Sequence, residues 1–234
     1  FAAQQEQRWL PKFDHLFTTS DHDKQRIDAI LHRSGRPSSS SSISVIPNSI
    51  DVGFYGSISQ NSGQRKRLLF CGGLDFPPNR TAIELLVRRV FPQIRSAHND
   101  CELWIVGKDD PHWTKPQADG VIFTGYVADI RPYIEDTTII LAPILNGSGT
   151  RFKVLEAWAA RRPLIATTKA VEGLNATPMT HFWLADTESD LVEGINRILR
   201  ASEQSRQMVD AAYQFVNAHY DARMIGKRFC ATLA

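Results

Sequence analysis

Residues 139–168, IILAPILNGSGTRFKVLEAWAARRPLIATT, decide the fold of this chain. The apolar run at 139–142 predicts a short buried strand, which Pro143 ends. The Asn-Gly-Ser-Gly run at 146–149 predicts a tight loop, because these residues tolerate the backbone angles that such a loop needs. The stretch therefore begins as a strand that leads into a glycine-rich loop.

A helix and a second strand are predicted after this loop. Thr150 can cap a helix that runs from Arg151 to about Ala160, and Pro163 then ends it. The apolar residues that follow the proline predict a strand over 164–167. A strand, a loop, a helix and a strand in this order are typical of a parallel sheet with helical crossovers.

The first turn of this helix carries two cations, Arg151 and Lys153. The positive end of the helix dipole and the unpaired N–H groups make positive charge unfavourable there. A bound anion would remove the conflict, and a phosphate held by the loop amides and both cations is the simplest occupant. The alternative is a solvated helix start whose basic side chains point to water.

The rest of the chain repeats this pattern. Strands that end in glycine or proline alternate with helices, which indicates an α/β fold with a Rossmann-like, doubly wound parallel sheet. Such sheets bind ligands at the carboxyl ends of their strands, so we expect the glycine loops to converge there. The further predicted strands are 67–71, 102–106, 121–124 and 182–185, and the predicted helices are 79–95, 129–134, 188–200, 203–219 and 221–233.

The amino-terminal residues are too few to hold a core of their own, and we place a domain boundary near residues 47–64. The predicted segments are a helical stretch at 1–12, strands at 13–19 and 43–46, a helix at 21–32, an exposed mobile loop at 34–42 and a loop-like stretch at 51–63.

The length and composition of the 234-residue chain are typical of a soluble globular protein, since 42% of its residues are hydrophobic. The net charge of +2 gives no argument for a nucleic-acid partner. Three cysteines without CxxC spacing indicate reduced thiols and a cytoplasmic protein. The histidines lack metal-ligand spacing, so we expect no metal and no cofactor. The chain begins at Phe1, so we expect a fragment of a longer protein.

Five motifs lie in order over about residues 45–200. They are VIPNSID at 45–51, LLFCGGLDFPPNRTAIELL at 68–86, ELWIVGKD at 102–109, IFTGYVADIRPYI at 122–134 and APILNGSGTRFKVLEAWAARRPLIATTKAVEGL at 142–174. In this order and spacing they resemble the carboxyl-terminal half of a GT-B glycosyltransferase of the family 4 type, the group 1 glycosyl transferases. The resemblance implies three parts: 1–47, the tail and linker of an acceptor-side domain; 48–220, the domain that binds a nucleotide-sugar donor; and 221–234, a carboxyl-terminal helix.

The resemblance also implies a retaining transfer of a sugar from a nucleotide-diphosphate donor. Arg151 and Lys153 would neutralise the diphosphate as the bond to the sugar breaks, without a metal. Glu156 matches the second glutamate of the family's E-x7-E motif and would accept hydrogen bonds from ribose hydroxyls. The implied donor-binding residues are Gly72, Gly73, Asn79, Tyr126, Val127, Gly147, Ser148, Gly149, Thr150 and Glu156, with Tyr126 and Val127 placed at the base.

Three positions depart from the family's pattern. Ser148 stands where the first glutamate of E-x7-E belongs, so a hydroxyl and loop amides would replace its contact to the donor sugar. The lysine common after the first glycine loop is absent, and Asn79 or Arg80 is the nearest polar replacement. The pair Arg161-Arg162 replaces a small residue before the proline and is predicted to add only surface charge.

These departures also suit a non-catalytic GT-B-like module that serves binding or assembly. A nicotinamide-dependent oxidoreductase is a weaker alternative, because the G-S-G at 147–149 follows a late strand and lacks a later acidic partner. For a transferase, the expected partners are a nucleotide-sugar donor and an acceptor that is a glycan, a lipid or a protein. We expect no nucleic acid, and any membrane contact would be peripheral and made by the missing amino-terminal part.

Overall fold

A computed structural model describes residues 2–33, 43–59, 66–147, 152–200 and 203–233. Parts of the sequence prediction lie outside these residues. They include the mobile loop at 34–42, positions 60–63 of the loop-like stretch, and Ser148, Gly149, Thr150 and Arg151 of the predicted glycine-rich loop and helix start.

A six-stranded parallel sheet forms the centre of the molecule. Strands β3 to β8 lie in the order β5-β4-β3-β6-β7-β8, so the winding of the chain reverses between β3 and β6. This order defines a Rossmann-like, doubly wound sheet and confirms the predicted fold class. The strands within the described residues are β1 (Leu16–Thr18), β2 (Ile43–Val45), β3 (Arg67–Cys71), β4 (Glu102–Val106), β5 (Val121–Gly125), β6 (Ile139–Ala142), β7 (Leu164–Ala166) and β8 (Trp183–Leu184).

Helices cover both faces of this sheet, because right-handed crossovers on either side of the reversal lie on opposite faces. Helix α5 packs against α8, whereas α7 packs against α3 and α9. Phe70 on β3 and Trp158 on α7 are fully buried between these layers. The helices are α1 (Ala2–Trp9), α2 (Asp21–Arg33), α3 (Val52–Gly56), α4 (Pro77–Leu85), α5 (Phe91–Ala97), α6 (Arg131–Glu135), α7 (Phe152–Ala159), α8 (Glu188–Leu199), α9 (Glu203–Tyr220) and α10 (Ala222–Leu233).

The helix predicted at 79–95 is longer and less regular than expected. A turn of π-helix, Leu86–Val90, separates α4 from α5, and the Phe91 N–H donates to the carbonyl of Leu86. Pro92 follows directly, and its ring would clash with a carbonyl in a regular helix. The wider turn therefore lets one continuous helical segment contain a proline.

The prediction of a loop-like stretch at 51–63 is wrong for Val52–Gly56, which form α3. Asp51 caps this helix, since its side chain accepts a hydrogen bond from the N–H of Phe54 at 3.0 Å. Tyr55 points into the core and is buried. A helix this short is stabilised by its packing, which leaves little periodic signal in the sequence.

The segment that enters α3 is fixed by the carboxyl-terminal helices. Ile50 donates to the carbonyl of Tyr220 and accepts from the N–H of Ala222, both at 2.9 Å. Strands β1 and β2 form a separate two-stranded parallel sheet, and α10 returns to it through Phe17 and Phe229, whose ring centroids are 5.2 Å apart. The division of the chain at residues 47 and 220 stays a prediction.

Arg162 is only 3% exposed, so the prediction that Arg161-Arg162 adds only surface charge is wrong for this residue. Its guanidinium ties together three segments: the one after α3, the end of α6 and the turn after α7. Arg161, by contrast, is partly exposed and lies over the ring of Tyr213, 3.8 Å from its centroid. Arg162 donates to the carbonyl oxygens of Ser59, Ile134, Glu135, Ala160 and Arg161.

We predict that Arg162→Met lowers the free energy of unfolding by about 3 kcal/mol, because it leaves several buried carbonyl groups without donors. Arg161→Met is the matched control and should cost about 1 kcal/mol or less. Chemical denaturation of the two variants measures both values. Equal stabilities of the two variants would contradict the structural role of Arg162.

Candidate functional site

Two loops meet where the winding of the sheet reverses, at the carboxyl ends of β3 and β6. The loop after β3 contains Gly72 and Gly73 and leads into α4, which carries Asn79. The loop after β6 leads to α7, which carries Lys153 and Glu156. Crevices at such reversals are where doubly wound sheets bind their ligands.

A chain of hydrogen bonds joins the two loops. Asn79 is 7% exposed, and its Nδ2 donates to the carbonyl of Gly73 at 2.8 Å. Lys153 Nζ donates to Asn79 Oδ1 at 2.9 Å and lies 4.4 Å from the ring centroid of Phe70. The structure thus brings three predicted site residues into direct contact, and Asn79 fixes the ammonium group of Lys153 beside the β3 loop.

Glycines let the backbones around this contact approach closely. Gly147 has a φ of 96°, and a Cβ there would lie 2.8 Å from Cγ of Pro78 at the start of α4. A Cβ on Gly107, which follows β4, would lie only 2.0 Å from the carbonyl oxygen of Gly72. Both distances are too short for a real Cβ atom. The backbone conformations at Gly107 and Gly147 therefore require residues without a side chain.

Glu156 lies one turn beyond Lys153, and its Oε1 accepts a hydrogen bond from the Tyr55 hydroxyl at 2.9 Å. Burial raises the pKa of the Glu156 carboxyl, whereas the Tyr55 hydrogen bond and the Lys153 charge lower it. Burial, followed by the nearby Glu156 charge, raises the pKa of the Cys71 thiol and that of the Tyr55 hydroxyl. The site therefore pairs a cation with a largely desolvated carboxyl group, a combination suited to an anion and neighbouring hydroxyls.

The loop after β5 holds the predicted base-binding pair. Tyr126 is 76% exposed, whereas Val127 packs against the core. Asp129, further along this loop, pairs at 2.7 Å with Arg131, the first residue of α6, and Arg131 lies 3.9 Å from the ring centroid of Phe54 on α3. The loop is therefore tied to the same short helix that contacts Glu156.

Sequence reasoning missed two features of this region. Tyr55 is 101 residues from Glu156 along the chain, and no motif marked it. An open concavity of about 460 Å³ also lies beyond β6, at the carboxyl ends of β7 and β8, and Thr168 binds Asp186 there at 2.6 Å. Its lining residues are Ile144, Leu145, Thr167, Thr168, Lys169, Glu172 and Asp186.

Two features are absent from the described ranges, which leave out residues 1, 34–42, 60–65, 148–151, 201–202 and 234. There is no group of three or more His, Cys, Asp or Glu side chains that could hold a metal ion in these ranges. Nor does any helix within them have the length and apolar character that a bilayer span requires.

The family model described as "Glycosyl transferases group 1" matches residues 65–201, more than half of the chain. The chain belongs to the group 1 glycosyl transferases. The match includes both loops of the crevice and the sheet reversal between them.

Relatives of this group 1 chain are longer proteins. A phosphatidyl-myo-inositol mannosyltransferase from Mycobacterium leprae is 29% identical over an alignment of 131 residues, and the match covers 52% of this chain and 34% of the relative. A glycosyltransferase structure from Rickettsia africae has a TM-score of 0.74 at 13% identity, covering 98% of this chain and 65% of its own. Anabaena HepE, solved in complex with UDP and glucose, has a TM-score of 0.73 at 14% identity. The match covers 100% of this chain and 67% of the HepE chain. The structural likeness confirms the GT-B fold.

We predict that Gly107→Ala lowers the free energy of unfolding by about 2 kcal/mol or more, because the added methyl group forces the β3 and β4 loops apart. Gly56→Ala is the control, since a Cβ there meets nothing within 4 Å. Thermal unfolding of both variants tests the packing of the crevice. A Gly107→Ala protein as stable as the Gly56→Ala protein would show that the loops are not in contact.

Proposed function

We propose that this chain supplies the donor-binding half of a retaining glycosyltransferase, which transfers a sugar from a nucleotide diphosphate to an acceptor. The observation that carries the proposal is the placement of Lys153 and Glu156 on one helix at the sheet reversal, with Lys153 Nζ held 2.9 Å from Asn79. Membership of the group 1 family supports this assignment, as does the HepE structure with UDP and glucose.

The diphosphate is proposed to bind between the two loops. Lys153 faces it from α7, and Arg151, two positions earlier in the sequence and outside the described residues, adds a second positive charge. Both cations stabilise the negative charge that forms on the diphosphate as the sugar leaves, which is electrostatic catalysis by fixed charges. The loop amides around Gly147 and Gly149 donate to the same oxygens.

The nucleoside is proposed to extend from the diphosphate toward α3. Glu156 accepts hydrogen bonds from the ribose hydroxyls, and the base lies along the loop that holds Tyr126 and Val127. A carboxylate suits the ribose because it can accept from two neighbouring hydroxyls at once.

The sugar is proposed to lie against the residues that close the glycine-rich loop, Ser148 and Thr150. Their hydroxyl groups are neutral, so they orient sugar hydroxyls without adding charge near the anomeric carbon. The acceptor, a glycan, a lipid or a protein, is bound mainly by parts of the enzyme beyond this chain. Isolated residues 1–234 are therefore expected to bind nucleotide but to transfer sugar poorly.

We predict that the 234-residue chain binds UDP or GDP in a calorimetric titration. Lys153→Gln and Glu156→Gln should each lower the affinity for the more tightly bound nucleotide by roughly tenfold or more, because each removes a charged partner of the nucleotide. Lys66→Gln is the matched control, since Lys66 pairs with Asp100 at the opposite end of β3.

Two results would oppose the proposal. One is the absence of binding by either nucleotide at millimolar concentration. The other is binding that Lys153→Gln and Glu156→Gln leave unchanged, which would favour a module for binding or assembly over a transferase.

A further inference from the structure

Tyr55 contacts the proposed ribose-binding carboxylate from outside every motif that identifies the family. It lies on α3, is 8% exposed, and donates its hydroxyl hydrogen to Glu156 Oε1 at 2.9 Å. A carboxylate has about four acceptor positions, so this bond leaves Oε2 and part of Oε1 available to further donors.

The helix that carries Tyr55 is itself fixed from three directions. Asp51 caps its start, and Ile50 is bonded to the junction of α9 and α10. Arg131, the first residue of α6, lies over the neighbouring Phe54 ring. A side chain held in this way can restrict the rotamer of the carboxylate that it contacts.

We infer that Tyr55 is a positioning residue, which holds the Glu156 carboxylate in the orientation and the charged form that bind the ribose hydroxyls. The inference rests on the proposed function, because it requires a nucleotide at this site. It assigns a role in ligand recognition to the segment that joins the amino-terminal piece to the sheet.

The charges that face Glu156 favour this role. Among the residues that the structure describes, the ionisable groups around its carboxyl are Tyr55 from α3, Lys153 from α7 and Cys71 from β3. Burial opposes ionisation of the carboxyl, whereas the phenol hydrogen bond and the ammonium group favour it. Loss of the Tyr55 hydroxyl removes one of these two supports, so the pKa of Glu156 rises.

The test uses the 234-residue chain and two ligands. One is whichever of UDP and GDP binds more tightly, and the other is the 2′,3′-dideoxy form of the same nucleotide. Tyr55→Phe keeps the ring in the core and should weaken binding of the ribonucleotide roughly tenfold, because it removes a hydrogen bond to a charged group. It should change binding of the dideoxy form less than about twofold, because that ligand offers Glu156 no hydroxyls. When Glu156 is already replaced by Gln, Tyr55→Phe should lower the affinity for the ribonucleotide by less than about a further twofold.

The pH dependence gives a second measure. Glu156 accepts from the ribose in its ionised form, so affinity is lost as the pH falls through its pKa. In Tyr55→Phe this loss should begin at a higher pH than in the unchanged chain. Carboxyl-carbon NMR of Glu156 without nucleotide should show the same upward change in its pKa, whereas Tyr133→Phe, on α6, should leave it unaltered.

The outcomes separate the two claims. Equal loss of affinity for the ribose and dideoxy ligands in Tyr55→Phe, or no loss with either, would overturn the positioning role while nucleotide binding by the unchanged chain still stands. No binding by the unchanged chain would overturn the proposed function and this inference with it.

Discussion

The hydrogen bond between Lys153 and Asn79 is the interaction on which the site depends. Each residue belongs to one half of the doubly wound sheet: Asn79 to the helix that follows β3, and Lys153 to the helix that follows β6. Their contact can form only because the winding reverses between these strands, so that both loops open toward the same crevice. The small residues Gly147 and Gly107 then allow the backbones to come close enough.

Burial gives this arrangement its chemical character. Lys153 and Glu156 are both partly buried, and each is hydrogen-bonded to a neighbouring side chain, so both charged groups act in a region of reduced dielectric. Such groups interact more strongly with a ligand than surface charges do, and they need little reorganisation when it arrives. The desolvation that opposes ionisation of Glu156 is offset by its neighbours, which links affinity for ribose to the integrity of those contacts.

Much of the fold follows from the sequence, because its signals are local. The apolar runs of β3, β4 and β6, each bounded by glycine or proline, predict the strands and their parallel arrangement. Helix α3 escapes prediction because five residues carry no helical periodicity and are held by tertiary contacts. The π-helical turn before Pro92 is also missed, because a proline inside a helical pattern does not by itself tell whether the helix ends or widens by one residue.

The site is predictable only where one motif holds it. The spacing of Lys153 and Glu156 on a helix places both at the crevice, but their partners come from distant segments. Tyr55 lies 101 residues from Glu156, and Asn79 lies 74 residues from Lys153. The burial of Arg162 could not be predicted for the same reason. An arginine before a proline is expected on the surface, and only the structure shows the distant carbonyl groups that it binds.

A crystal structure of the chain with bound UDP or GDP would show whether the nucleotide occupies the crevice between the two loops. We expect a diphosphate oxygen within hydrogen-bond distance of Lys153 Nζ, ribose hydroxyls on Glu156, and the Tyr55 contact retained. A nucleotide seated elsewhere, such as in the concavity beside Thr168 and Asp186, with Lys153 bonded only to Asn79, would contradict it.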